Sequence, residues 1–242
     1  MERQRVIIPN NKNEKLVGHL YKGSSQTIII VCHGIESTNN PVDPKFHKIV
    51  PDYFSRLSSQ TDASIFSFDF SGFGESEGNF TYSLKQRDLE TEAVINYFVH
   101  DYKNIILYGF SWGAISTSIA AIKHKKVSGL ITVNGFFTYK PTEIYLSNIF
   151  IFYFYALTHK NSWSELFFLW KNLQVAAIKV PTLVIYSDKD NYVHPKQSRN
   201  FYSELITKKK IVALKSNDHA MAKEYLQLPP TIATWFNEIF EK

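Results

Sequence analysis

Three kinds of side chain that could together attack a carbonyl stand far apart in this sequence: a serine between glycines, a pair of aspartates and a late histidine. The serine is Ser111, in Gly109-Phe110-Ser111-Trp112-Gly113. A serine hydroxyl is a weak nucleophile at neutral pH and needs a base to take its proton. The base in turn needs an acid that orients it and offsets its positive charge. The G-x-S-x-G spacing suits a serine at the tip of a tight strand-to-helix turn, in a strained backbone conformation. Residues two positions to either side must be small, because side chains there would collide. Such a turn lifts the hydroxyl clear of the sheet. It also aims the first N–H groups of the following helix at the point where an oxyanion would form. A serine that merely caps a helix is the plainer alternative. The flanks favour the elbow: Ile105, Ile106 and Leu107 precede it as an apolar run, and Ala114, Ile115, Ile119 and Ala120 begin a helical stripe.

In a parallel sheet, functional groups gather at the carboxyl ends of strands. Asp188 and Asp190 follow an apolar run that ends at Tyr186. His219 follows another that ends at Leu214, within Ser216-Asn217-Asp218-His219-Ala220. The order serine, aspartate, histidine is the one expected on this type of sheet. On the residues alone, the acid is Asp188 or Asp190. Asp218 adjoins the base and is badly placed to reach behind it.

The elements that must position these groups alternate. Arg5–Ile8 and Leu16–Tyr21 read as an antiparallel pair of strands joined by a polar turn. Thr27–Cys32 is a continuous β-branched run, as in a strand buried on both faces. Phe46, Ile49, Val50, Tyr53, Phe54 and Leu57 recur at helical spacing. Ala63–Phe70 reads as a strand leading into Asp69-Phe70-Ser71-Gly72-Phe73-Gly74-Glu75-Ser76. Ser83 with Gln86 makes a capping box for a helix whose stripe is Leu89, Ala93, Val94, Tyr97 and Phe98. After the elbow come a strand at Val127–Val133, a strand at Pro181–Tyr186 and a helix at Pro195–Ile206. A strand at Lys209–Leu214 and a final helix at Leu228–Phe240 complete the series. This alternation predicts right-handed crossovers and an α/β fold with a mostly parallel sheet.

One stretch breaks the pattern. Residues 136–180 hold thirteen aromatics, among them Phe150, Phe152, Tyr153, Phe154 and Tyr155. This density suggests a helical cap inserted over a substrate pocket. The competing readings are more core, or a helix resting on a membrane surface; the latter usually carries a basic polar face that is missing here. The apolar stretch Ile144–Leu157 is too short to span a bilayer.

At 242 residues, with 44% hydrophobic and 15% aromatic content, the chain fits a single large α/β domain, 1–242, with the cap inside it. Cys32 is the sole cysteine, so no internal disulfide can form. Its place inside an apolar strand predicts a buried, inert thiol. The start, MERQRVIIPN, lacks a long apolar core, so no secretory signal is expected and a reducing, cytoplasmic setting follows. A net charge of +5 is mild. The basic runs Lys123-His124-Lys125-Lys126 and Lys208-Lys209-Lys210 read as solvated ends of elements. There is no nucleic-acid motif, P-loop, paired Cys/His metal spacing or internal repeat, and nothing that sets an oligomeric state.

These residues resemble the α/β-hydrolase superfamily of serine hydrolases, in the group with monoglyceride lipases, feruloyl-esterase-like enzymes and serine aminopeptidases. The resemblance runs from about Leu16 to Phe240. It rests on His33-Gly34 after a strand, Asp69-x-x-Gly72-x-Gly74-x-Ser76, the Ser111 elbow, Ser187-Asp188-Lys189-Asp190 and Asp218-His219. It implies a sheet of about eight strands with helices on both faces and a small cap. It further implies Ser111 as nucleophile, His219 as base, Asp190 as acid, and an oxyanion hole from the backbone N–H groups of Ile35 and Trp112. His33 would pin the oxyanion loop. No metal or organic cofactor is called for. The sequence departs from the family pattern at Ser187, usually glycine, at Phe110, often histidine, and at Ala114, often glycine. The activity implied is hydrolysis of an ester or thioester with a hydrophobic or aromatic acyl group. The partner expected is thus a small-molecule ester, with the cap the one place for a membrane-surface contact. A peptidase or acyltransferase would use the same triad, and a non-catalytic binding protein could share the fold.

Overall fold

Strands that are apolar on both faces are stable only where helices cover both sides of the sheet. That requirement organises the computed structural model, which describes residues 3–34, 46–80, 83–138, 145 and 162–240. The strands are β1 (Arg3–Pro9), β2 (Lys15–Tyr21), β3 (Thr27–Cys32), β4 (Ser64–Phe68), β5 (Asn104–Phe110), β6 (Val127–Val133), β7 (Thr182–Ser187) and β8 (Lys209–Leu214). They form one sheet in the order β1-β2-β4-β3-β5-β6-β7-β8. β2 pairs antiparallel with β1 and β4, and the remaining pairs are parallel.

Alternate side chains of the central strands feed two cores. On one face Ile28, Ile30, Leu107, Leu130 and Val184 meet helices α2 (Leu84–Phe98), α3 (Gly113–Lys123) and α5 (Lys196–Glu204) through Val94, Phe98, Ala120 and Phe201. On the other, Ile29, Val31, Ile106, Ile131 and Leu183 meet α1 (Phe46–Thr61) and α6 (Leu228–Phe240) through Phe54, Leu57, Trp235 and Phe236. Burying each such side chain contributes about 1.5–3 kcal/mol.

The order of the strands decides where a site can form. β3 lies between β4 and β5. The chain therefore leaves β3 in one direction through α1 and later returns to its other side through α2. That reversal opens a crevice beyond the carboxyl ends of β3 and β5, where ligands bind in open α/β sheets.

Three local expectations needed correction. β4 stops at Phe68, because Asp69 N–H turns to the Val17 carbonyl and Phe70 N–H to a ring nitrogen of His33. The buried residues of α2 include Leu84, Arg87, Thr91, Val94, Ile95 and Phe98; of the expected stripe Val94 and Phe98 are among them, but Leu89, Ala93 and Tyr97 are not. Polar residues face inward there because the interior offers them partners. The capping box is only half formed. Ser83 Oγ accepts from Gln86 N–H at 3.3 Å, but the Gln86 amide donates to Asn11 and Glu90.

Helix α4 (Ser162–Asn172) supplies the missing arm. Its Glu165 carboxylate accepts from Leu84 N–H at 2.6 Å and from Ser83 Oγ at 2.9 Å. Leu169 of the same helix packs with Leu84, Ile115 and Ile119. The rest of the aromatic segment read as a cap, 139–144 and 146–161, lies outside the described residues. Among the described residues no helix is long and apolar enough to cross a membrane.

Cys32 ends β3 fully buried, and burial pushes its thiol up to about 12. Iodoacetamide at pH 8 should therefore modify Cys32 only after denaturant is added, which mass spectrometry would read directly. Replacing Glu165 with Ala should cost about 1 kcal/mol of stability, the usual value of a helix cap, measured as a lower urea midpoint at unchanged slope.

Candidate active site

Ser111 sits where β5 turns into α3, with φ of +52°. A non-glycine residue held there costs on the order of 1–3 kcal/mol. The turn is over-determined by its hydrogen bonds. Ser111 N–H donates to the Val133 carbonyl at 2.9 Å. Its own carbonyl accepts from Ala114 N–H at 3.0 Å and Phe136 N–H at 3.1 Å. The flanking glycines answer to other elements rather than to each other. A Cβ on Gly109 would lie 2.5 Å from Ala114 Cα and 2.3 Å from Thr117 Oγ1. A Cβ on Gly113 would lie 2.1 Å from the Cys32 carbonyl oxygen. Helix α3 is thus pressed onto the ends of both β5 and β3.

The structure brings Ser111, His219 and Asp190 into one line. His219 Nε2 lies 2.9 Å from Ser111 Oγ, and its Nδ1 lies 2.7 Å from Asp190 Oδ2. An ionised carboxylate only accepts, so Nδ1 carries the proton and Nε2 is left to accept from the hydroxyl. Asp190 is buried, and its other oxygen accepts from Tyr192 N–H at 2.7 Å and Val193 N–H at 2.9 Å. The imidazole lies between two rings, Phe110 at 5.4 Å and Tyr192 at 5.3 Å. The other two aspartates face elsewhere. Asp188 accepts from Ser216 N–H, and Asp218 accepts from Ala220 and Ala222 N–H. Both shape the loop that carries His219.

Trp112 follows Ser111 at the N-terminus of α3. Ile35, the other residue expected in an oxyanion hole, lies outside the described residues. The two residues before it are tightly held. Gly34 rests against Ser111, since a Cβ there would come within 2.9 Å of Ser111 Cβ. Its carbonyl accepts from Arg87 Nη2 at 2.9 Å and from His33 Nδ1 at 3.0 Å. Arg87 Nη1 donates to the His33 carbonyl at 3.1 Å. His33 Nε2 accepts from Phe70 N–H, so both ring nitrogens are committed and the ring is neutral. The Arg87 guanidinium lies 4.4 Å from the Phe70 ring, a cation–π contact. Sequence reasoning missed Arg87. Its available signal was an arginine three residues after Leu84 and four before Thr91, on the face that proves to be buried.

The lesser candidates also find places. Asp69 and Gly72 shape the turn after β4: the Asp69 carbonyl accepts from Ser76 Oγ, and Gly72, at φ of +78°, donates its N–H to Glu77. His194 is half-buried, its ring centroid 5.0 Å from that of Tyr145. Tyr145 also donates its hydroxyl to the Asp190 carbonyl. Among the described residues no group of three or more His, Cys, Asp or Glu could hold a metal ion.

Residues 29–172 match the alpha/beta hydrolase family, more than half of the chain. The chain belongs to that family. No curated protein matches its sequence. Solved structures share the fold at low identity. The esterase Pf2001 of Pyrococcus furiosus is 18% identical with a TM-score of 0.73, covering 98% of this chain and 93% of its own. Est1E of Butyrivibrio proteoclasticus, solved with ferulic acid, is 15% identical with a TM-score of 0.72, covering 98% of this chain and all of its own, 100%. The alpha/beta hydrolase GrgF of Penicillium sp. sh18 is 14% identical with a TM-score of 0.76, covering 100% of both chains.

Gly113 and Gly129 offer a controlled comparison. The Cβ of Gly113→Ala would meet backbone, whereas that of Gly129→Ala would meet only the ends of Phe240 and Trp235, at 3.1 and 3.3 Å. Gly113→Ala should thus destabilise by about 3 kcal/mol or more, and Gly129→Ala by much less, in paired urea titrations.

Proposed function

We propose that this protein is a serine hydrolase that cleaves carboxylic ester or thioester bonds of a substrate with a hydrophobic or aromatic acyl group. The observation that carries this reading is the unbroken line from Asp190 through His219 to Ser111, ending on a serine in a left-handed turn. Ser111 Oγ attacks the carbonyl carbon while His219 Nε2 takes the hydroxyl proton. Asp190 keeps Nδ1 protonated and offsets the charge that forms on the ring. Trp112 N–H supplies one donor to the oxyanion, and the resemblance assigns the second to Ile35. The intermediate collapses, and His219 gives its proton to the departing alcohol or thiol. Water then attacks the acyl-enzyme with the same histidine as base, the acid leaves, and Ser111 is restored.

What surrounds the triad supports this substrate class. Phe110, Tyr192 and Tyr145 stand at His219 and the acid turn. Aromatic surfaces suit apolar or phenolic groups better than charged peptides. The ferulic acid held by Est1E is a phenolic acid of this kind. Acyl transfer and peptide cleavage pass through the same type of acyl-enzyme, and the aromatic setting places them second.

Ser111→Ala should lower turnover of a p-nitrophenyl ester by roughly 10⁴-fold or more, with the melting curve nearly unmoved. Near-normal hydrolysis by that variant would overturn the reading. A fluorophosphonate probe should label the wild type at Ser111, and an unlabelled folded protein would favour a binding role. Esters of graded acyl length should then show an optimum that reports the depth of the pocket.

A further inference from the structure

Asn134 follows β6 in the left-handed region, with φ of +46°, which asparagine tolerates better than most residues. It is 1% exposed. Its side chain reaches two other elements. Oδ1 accepts from Ser187 N–H at 2.7 Å. Nδ2 donates to the His219 carbonyl at 2.7 Å and to Ser187 Oγ at 3.1 Å. The orientation of the amide is forced, because a backbone N–H only donates and a carbonyl only accepts. Ser187, also fully buried, passes its own hydroxyl proton to the Asp218 carbonyl at 3.0 Å. Asn134 N–H is fixed in turn by the Ile185 carbonyl at 3.0 Å.

We propose that Asn134 and Ser187 form a clamp that sets the position of His219, and that both are positioning residues of the reaction. The inference rests on the triad proposed above. The clamp joins the carboxyl ends of β6 and β7 to the loop that follows β8. It holds the carbonyls of Asp218 and His219, so the backbone at His219 is placed before its imidazole is oriented by Asp190 and the rings of Phe110 and Tyr192. Ser187 stands where the resemblance led us to expect glycine. A glycine there would still give its N–H to Asn134 but would leave the Asp218 carbonyl without the hydroxyl. Asparagine suits position 134 for a reason of charge: an aspartate would turn a carboxylate oxygen against the His219 carbonyl.

The test uses the full chain and a p-nitrophenyl ester, with Ser111→Ala as reference. A slip of about 1 Å in a positioned group can cost 10²-fold. Asn134→Ala should therefore lower kcat by roughly 10–100-fold and leave KM within about threefold. A urea titration of each variant gives its folded fraction, to which kcat is normalised. Ser187→Ala should lower kcat about fivefold, and the double variant should lose less than the product of the two, because they share a hydrogen bond. A folded Asn134→Ala with kcat within twofold of wild type would overturn the clamp. So would a fall in kcat that the smaller folded fraction alone accounts for. If Asn134→Ala fails to fold, Ser187→Ala decides by the same two readouts. An active Ser111→Ala would sink the triad itself, and an inactive one beside an unimpaired Asn134→Ala would sink the clamp alone.

Discussion

The rest of the structure depends on one close contact: helix α3 lies against the ends of β3 and β5 with no room for a side chain between them. The Gly113 backbone touches the Cys32 carbonyl, and the Gly109 backbone touches Ala114 and Thr117. A chain that must pass from strand to helix within so short a distance has few backbone routes. The route taken leaves Ser111 at φ of +52°. The strain is local and small beside the apolar burial on both faces of the sheet, which is why it persists. The same contact sets the height of the hydroxyl above the sheet and the direction of the first turn of α3. Ser111 and the helix N-terminus are placed by a single packing event.

The second support is electrostatic and lies behind the first. Just past the end of β3, the guanidinium of Arg87 and the neutral ring of His33 converge on the Gly34 carbonyl. A buried charge is costly unless it is hydrogen-bonded. Arg87 meets that cost with two backbone carbonyls and the face of Phe70. A short distance along α2, Glu90 accepts from Ser71 and Gln86 and ties the helix to the turn after β4. The polar side chains of α2 thus hold in place His33 and Gly34 after β3 and the turn after β4. This explains why a helix so rich in charge is buried.

Much of the architecture could be read in the sequence. Continuous β-branched runs such as Thr27–Cys32 and the helical spacing of Tyr53, Phe54 and Leu57 are local signals, and periodicity reports them directly. The elbow was legible because its constraint is steric and acts within five residues. Asp190 was harder, since Asp188 and Asp218 are identical in chemistry and nearly so in place. What separates them is which carboxylate faces the His219 ring, a property of three dimensions. Arg87 and Asn134 escaped because nothing in their neighbours along the chain marks them. Their partners lie at Gly34 and His33, or at Ser187 and His219, dozens of positions away. The α2 stripe was misread for the same reason: an arginine and a glutamate count as surface residues until the groups that receive them are known.

The three members of the line are held by supports of unequal kind. Ser111 sits at a junction of strand and helix, pinned by backbone hydrogen bonds to β6 and α3. Asp190 sits in a short turn after β7 that closes on its own carboxylate. His219 belongs to an irregular loop after β8, the edge strand, whose residues are mostly half-exposed. The β7–β8 pairing reaches only its start, where Lys189 N–H donates to the Ser216 carbonyl at 3.0 Å. Beyond that its position is set by side chains: Asp188 on Ser216, Asp218 on the turn that follows, and Asn134 and Ser187 on the carbonyls at Asp218 and His219. Side-chain hydrogen bonds each contribute little, about 1 kcal/mol net, but several acting on one loop can exclude its alternatives. His219 is therefore the member of the line held by the most distributed contacts. Its geometry is where substitutions far from the reacting atoms have the most leverage.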